Sequence, residues 1–433
     1  FVERDQFGWL ATGWLAFFPL VFWVKKNTAS PKSVENWLFL GIFLRFLLLF
    51  SWPNLSDDFW RFIWDGRVWL SGGNPFSHPP EFYFENNHFP AGISGGLYEH
   101  LNSKKFYSVY PPICQAVFVV ATFFGKNSDH ASLFGMKFFL FACEVSTIFL
   151  LKKLENSPKT SGPCLFSVPK NAALLYALCP LPIFEVVGNA HFEGAMLFFL
   201  LAGIHQLRAA LPDPENRSIQ MVSAAALFAL SIAVKLLPLM FLPLVLPVFG
   251  LKNGAKWLIC LCFFSLALWL PMLDFDVLSN MAKSLGLYFN AFAFNASFYY
   301  LLRPLAQNAQ GFDRPELLGP VLAGMAVATI LGLSVAIFLK KIRLGTAFLM
   351  ASMAQLLFAS TVHPWYILTP FLLSLGEKWR FTVVWSAVAV LSYSHYLQRP
   401  FRERFELIGL EYGLVAIFIL FETLGVTFKK NHV

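Results

Sequence analysis

The sequence predicts an all-α polytopic membrane protein, and three observations carry that prediction. Hydrophobic residues make up 57% of the 433 positions and charged residues only 13%. Apolar runs recur along the whole length, many near the roughly 20 residues that a helix needs to cross a bilayer. The Lys and Arg behind the net charge of +8 are clustered between those runs, which fits membrane orientation and not nucleic-acid binding, where a basic stripe would be interleaved with aromatics. So apolar a chain leaves no stretch for a separate soluble domain, and residues 1–433 read as one integral membrane unit. The six Cys (Cys114, Cys143, Cys164, Cys179, Cys260, Cys262) are scattered, mostly inside apolar runs, and read as small hydrophobes, not as a disulfide framework or metal site. No charged n-region with a cleavage site leads the chain, so no signal peptide is expected.

In chain order the apolar segments fall near 9–24, 37–52, 131–151, 171–187, 192–210, 219–250, 256–273, 319–340, 345–376, 381–397 and 408–428. Two exceed one crossing. The first is interrupted at Lys235-Leu236-Leu237-Pro238 and the second at His363-Pro364, where Pro favours a break, so splitting both gives about 13 transmembrane helices. The run Ile113 to Phe124, after Tyr110-Pro111-Pro112, is too short to cross comfortably and reads as an interfacial or re-entrant helix in a long outer loop, 53–130. With it excluded, Lys25, Lys26, Lys32, Lys152, Lys153, Arg208, Arg217, Lys252, Lys256, Lys340, Lys341, Arg343, Lys429 and Lys430 share one side, which the positive-inside rule makes cytoplasmic. The basic stretch Arg399 to Arg404 falls on the other side. Within the spans, Arg45 and Glu144 lie near mid-helix, where an unpaired charge is expensive; an ion pair joining their helices is expected.

The unusual polar residues all fall on the outer side. Ser56 to Arg67 packs five charges (Asp57, Asp58, Arg61, Asp65, Arg67) into twelve residues directly after an apolar run. Asn189, His191 and Glu193 lie in Gly188-Asn189-Ala190-His191-Phe192-Glu193-Gly194; Lys235 sits at one break, Arg303 follows a Phe/Asn-rich loop, and His363, Trp365 and Tyr366 sit at the other break. Each alone has an ordinary explanation: a helix cap, a snorkelling Lys, an aromatic belt. Five connections supplying acids, bases and aromatics to one face instead predict an outward cleft at the membrane boundary.

Asp57-Asp58 at the outer end of a helix, Trp64-Asp65-Gly66-Arg67, Gly73-Asn74-Pro75-Phe76, Tyr110-Pro111-Pro112 with Gln115, the Asn-Ala-His-Phe-Glu-Gly block and His363-Pro364-Trp365-Tyr366 together resemble bacterial members of the C-type glycosyltransferase superfamily, close to its mannosyltransferases, from about residue 37 onward. The resemblance implies a polyprenyl-phosphate-linked hexose, mannose in the nearest members, as donor. It implies a lipid- or glycan-linked acceptor, an inverting transfer on the outer face of the bacterial inner membrane, and an acidic base in the first large outer loop. At least one span precedes the one leading into Asp57, so the family's usual first helix corresponds to the second here, and the soluble C-terminal domain of some relatives is not expected among residues 1–433.

A sugar on a lipid phosphate carries a good leaving group, so its transfer needs a base for the acceptor hydroxyl and cations for the departing phosphate. One carboxylate suffices, whereas a glycosidase needs two opposed ones. The resemblance favours Asp57 as base, with Asp58 second or orienting the acceptor. Arg61, Arg67, Lys235, Arg303 and His363 are candidates for phosphate contacts, and Trp60, Trp64, Trp365 and Tyr366 for sugar stacking. No cofactor is implied, and no Asp-x-Asp or His-rich set calls for a metal, although Asp57, Asp58 and Glu193 offer oxygen ligands. The competing class is a transporter or flippase, which would place ionisable residues at the bilayer midplane between inverted repeats. No repeat is detected in the sequence.

Overall fold

The computed structural model describes residues 2–27, 30–86, 89, 92–157, 166–210, 217–306, 315–377 and 379–430; Cys164 lies outside them. Regular structure among these is helical, with one isolated parallel bridge, Phe294 to Thr361. Among the described residues six helices are long and apolar enough to cross a membrane, at Phe7–Val24, Asp129–Glu155, Arg217–Val234, Lys252–Met272, Leu317–Phe338 and Phe405–Gly425. Large side chains such as Phe149, Phe263, Phe338 and Phe421 are exposed on them, a surface that suits lipid and not water.

The remaining expected crossings are shorter or bent, which is why a count near thirteen does not emerge from helix length. Segment 219–250 breaks at Lys235 as Pro238 predicts, passing from the helix Arg217–Val234 into a 3₁₀ turn, Leu237–Phe241. Segment 345–376 likewise divides into Leu344–Leu357 and a 3₁₀ turn at Pro364–Ile367. The run after Tyr110-Pro111 is a 14-residue helix, Pro112–Gly125. Segments 171–187 and 192–210 do not form two straight spans. Ala172–Leu178 stops at an extended Cys179, because the residue before a proline is pushed out of the helical region. A π-helix, Ile183–Gly188, then meets Glu193–Ala210 at a bend of 116°.

That bend is clamped from behind. Arg45, on the helix Pro31–Leu48, donates from Nε to Glu144 Oε2 at 2.9 Å, and both side chains are fully buried; the expected ion pair is present. Pro180 has no N–H for the Tyr176 carbonyl, and Arg45 replaces it, donating to Tyr176 O at 3.3 Å and to Ala177 O at 2.6 Å. Glu144 also accepts from the Tyr176 hydroxyl at 2.6 Å. Gly194 opens the helix beyond the bend, and a Cβ there would stand 3.0 Å from Glu144 Oε1, so glycine permits the close approach.

The ends of the bundle differ in character. Arg4 pairs with Asp57, so the helices Phe7–Asn27 and Pro31–Leu48 go out and back between these two residues. Asp129, which starts its helix, pairs with Arg67 at the same end. At the far end of that helix Lys153 joins Arg208 within electrostatic reach of His205, and Arg343 pairs with Glu377. Lys153 and Arg208, expected to share one side, therefore meet at the helix end away from Asp129.

Replacing Glu144 by Gln leaves Arg45 buried without its counter-charge and should destabilise the protein by about 3 kcal/mol, read from chemical unfolding in detergent. Glu144→Gln with Arg45→Gln should recover part of the loss, but not all, because the Tyr176 and Ala177 carbonyls stay unpaired. Strict additivity of the two changes would show that the pair contributes no coupling.

Candidate functional site

Asp57 is the N-cap of the helix Asp58–Leu70 and Asp58 lies in its first turn, where the partial positive charge of the helix end favours carboxylates. Neither is buried. Asp57 makes no capping hydrogen bond; its Oδ2 accepts from Arg4 Nη2 at 2.6 Å. Asp58 Oδ1 accepts from Asn102 Nδ2 at 3.3 Å. One turn on, Trp60 stacks on His100 with centroids 4.3 Å apart.

The rest of this helix is a rigid platform. Arg61 donates to Asp65 at 2.7 Å and to the Phe106 carbonyl at 2.8 Å, and Asp65 accepts from the Ser108 hydroxyl at 2.5 Å and from Gln115 at 3.1 Å. Gln115 in turn accepts from Trp69 at 2.9 Å, and Arg67 is tied to Asp129 at 2.6 Å. Gly66 faces Pro112–Gly125 so closely that a Cβ would lie 2.5 Å from the Phe118 carbonyl oxygen. Trp64 is fully buried near Tyr83 and Tyr98, and Asn74 caps the amide of Phe76. Thus Trp64, Asp65, Arg67, Asn74 and Gln115, expected to line the cleft, are engaged in the packing beneath it. Arg61, expected to meet phosphate, is buried in the same network, because a charge-dense amphipathic helix must satisfy its inward groups locally.

Facing the acid pair is a wall that sequence reasoning foresaw only in part. His191 follows the bend, with Ala190 at φ 61 turning the chain. The Trp365 ring is stacked between two imidazoles, 3.7 Å from His191 and 4.3 Å from His363. Phe294 lies 4.7 Å from His363, held by the bridge in which Phe294 donates to Ser360 O and accepts from Val362 N. Behind His191, Glu185 approaches to 3.2 Å and accepts from the Tyr393 hydroxyl at 2.7 Å. Asn189 accepts from the Leu55 amide at 3.2 Å, fastening this wall two residues upstream of Asp57. Lys235 forms a very short contact with Glu193 and sits 5.7 Å over the Tyr366 ring, which is 5.4 Å from His363.

The two sides meet at Tyr396 and Tyr110. Tyr396 lies beneath Arg4 at 4.7 Å and within electrostatic reach of Asp57 and Asp58. It is 6.1 Å from Phe294. Burial, and then the Asp58 carboxylate, hold the Tyr110 hydroxyl well above its ordinary value, so it stays a neutral donor. Burial first, then His191, Lys235 and His395, push the His363 imidazole down to about 3. At neutral pH His363 is therefore an uncharged stacking group, not the phosphate-binding cation that its position suggested. Arg303 stands within electrostatic reach of Tyr300, beside Phe405, not with Lys235.

The structure thus brings Asp57, Asp58, Tyr110, Asn189, His191, Glu193, Lys235, His363, Trp365 and Tyr366 to one end of the bundle, and adds Arg4, Glu185, Tyr393 and Tyr396. Glu185 carried a signal, an ionisable residue inside an apolar run; Arg4 carried none. Among the described residues no group of three or more His, Cys, Asp or Glu side chains is arranged to hold a metal ion.

The family model described as alpha-(1->6)-mannopyranosyltransferase, N-terminal domain, matches residues 7–250, a stretch that includes Asp57, Asp58, His191, Glu193 and Lys235. No curated protein and no solved structure matches the chain.

The state of His363 gives a pH dependence with a definite sign. Its ordinary value is 6.5 and its folded value about 3, so between these the unfolded chain binds the extra proton, and stability present above 6.5 is lost as pH falls toward 3. His363→Phe keeps the stacking partner without the titration. Melting temperatures at pH 7.5 and pH 5 should therefore fall less on acidification for the variant than for the wild type; an equal fall would show that His363 stays outside the balance.

Proposed function

The chain belongs to the alpha-(1->6)-mannopyranosyltransferase family, and on that premise we propose that this membrane mannosyltransferase moves mannose from a polyprenyl phosphate to a hydroxyl of a lipid- or glycan-linked acceptor. The transfer is inverting and takes place on the outer face of the bacterial inner membrane. The observation that carries this reading is the pairing of partly exposed carboxylates at a helix start with a cation-bearing, aromatic wall, at the end of the bundle remote from the basic connections.

In this reading Asp57 takes the proton of the acceptor hydroxyl as its oxygen attacks the anomeric carbon, and the bond to the phosphate oxygen breaks with its electron pair leaving on phosphate. Lys235 supplies positive charge to that phosphate and Asp58 orients the acceptor. Tyr366, half-buried beside Lys235, offers an aromatic face for a sugar ring, and Trp365, stacked between His191 and His363, stiffens the wall behind it. Arg303, partly exposed near Tyr300, is a second source of charge farther out. Exposed apolar helix faces leave the prenyl chain in contact with lipid. Family membership sets aside the transporter reading.

Asp57→Asn keeps the shape but removes the basic lone pair, so turnover should fall by roughly a hundredfold or more while the donor still binds. Asp58→Asn should cost less, and Lys235→Ala should act mainly through weaker donor binding. Near wild-type turnover in both Asp variants would sink the assignment of the base.

Sidedness has its own test. In a Cys-free protein, a single cysteine at Glu99 should react with a membrane-impermeant thiol reagent from the periplasm, and one at Lys153 should not. The reverse pattern would place the acid pair on the cytoplasmic face.

A further inference from the structure

We propose that Arg4 is a ligand for the donor phosphate that is latched on Asp57 until the donor arrives. The phosphate of an incoming polyprenyl-phosphate sugar takes the guanidinium over and leaves Asp57 open to the acceptor. This rests on the reading above of a phosphate-bearing donor and an Asp57 base, and it concerns a residue outside the matched stretch 7–250.

The arginines near the acid pair divide sharply. Arg61 is buried and bound to Asp65 and to backbone carbonyls, and Arg67 is buried against Asp129. Arg61 cannot turn toward a ligand without leaving Asp65 unpaired inside the protein, and the Arg67 side chain is itself only 8% exposed. Arg4 is different. Its side chain is 26% exposed and that of Asp57 41%, so their attraction is screened by water and the pair is weak. Among the described residues its hydrogen bond to Asp57 uses Nη2 alone, whereas a guanidinium presents five N–H donors in a planar fork. The open part of that fork matches two oxygens of a phosphate.

The support beneath Arg4 also suits a change of partner. Its guanidinium carbon lies 4.7 Å over the Tyr396 ring, a contact that tolerates rotation of the fork because the ring face has no preferred donor direction. Arg4 precedes the helix Phe7–Asn27, which is fixed by Trp14 donating to the Ser386 carbonyl at 3.0 Å. The residue is thus held at the membrane boundary, the depth at which a lipid-linked phosphate lies. While the latch is closed, Asp57 Oδ2 accepts from Arg4, and release of Arg4 to the phosphate gives that oxygen back to the acceptor hydroxyl. Donor binding and exposure of the base are then one event.

The latch makes a prediction that a purely structural ion pair does not. Equilibrium binding of a short-chain polyprenyl phosphate should be measured in detergent for the wild type, Asp57→Asn, Arg4→Gln and the double variant. Removing the competing carboxylate should tighten binding about threefold to tenfold in Asp57→Asn. Arg4→Gln should weaken it about tenfold, Arg4→Lys should restore part of the loss, and the gain from Asp57→Asn should vanish once Arg4 is Gln. Unchanged or weaker binding in Asp57→Asn, with the wild type binding normally, would overturn the latch and leave the donor reading intact. No wild-type binding would overturn both. An equal gain for phosphatidylglycerol would show a general headgroup site and would also overturn the proposal.

Discussion

Arg45 and Glu144 form the constraint on which the rest of the arrangement depends. A helix interrupted by Pro180 inside an apolar bundle leaves carbonyls that neither water nor the helix itself can satisfy, and such groups are costly to bury. Arg45 supplies donors to both orphan carbonyls, and Glu144 neutralises the guanidinium that this brings into the core. Each residue would be a liability alone. Together they let the chain break at Pro180, ahead of its 116° bend, while every partner in the clamp stays hydrogen-bonded.

What the bend does is deliver polar groups to one end. The π-helix places Glu185 behind His191, and Asn189 reaches across to the backbone at Leu55. The same stretch that needs the clamp therefore fixes the start of the acid-bearing helix. That helix is in turn immobilised by Arg61, Asp65 and Gln115 underneath and by the close contact at Gly66. Carboxylates at its first turn are held by a rigid element and not by a loop, which is what positioning for proton transfer demands.

Charge is distributed by burial. Pairs deep in the bundle, such as Arg45 with Glu144 and Arg61 with Asp65, are closed and hydrogen-bonded on several sides. Pairs at the rim, Arg4 with Asp57 and Lys235 with Glu193, keep part of one or both side chains in contact with solvent. Arg4 with Asp57, exposed on both sides, can exchange a partner for a ligand at modest cost, whereas the buried pairs would strand a charge in a low dielectric. Glu411 follows the buried rule too, accepting from Trp385 at 2.9 Å and from Asn295 at 3.2 Å. It anchors the loop whose Phe294 packs on His363.

The sequence by itself determined the class, the breaks and the partition of charge, because each rests on local composition. Apolar length marks the spans, proline at 238 and 364 marks the interruptions, and the density of ionisable groups in 56–67 marks the end where the acid pair lies. It also determined the Arg45 and Glu144 pair, since two opposite mid-span charges have few other partners. Only the tertiary structure decided which polar residues at that end stay partly exposed. Asp57 and Asp65 lie on one short helix, yet one is exposed and the other sealed, a difference set by what packs against each face. It alone brought Arg4 to Asp57 and His191 to Trp365, because contacts between residues 53 and 174 positions apart depend on how helices cross, and helix crossing leaves no mark in local sequence.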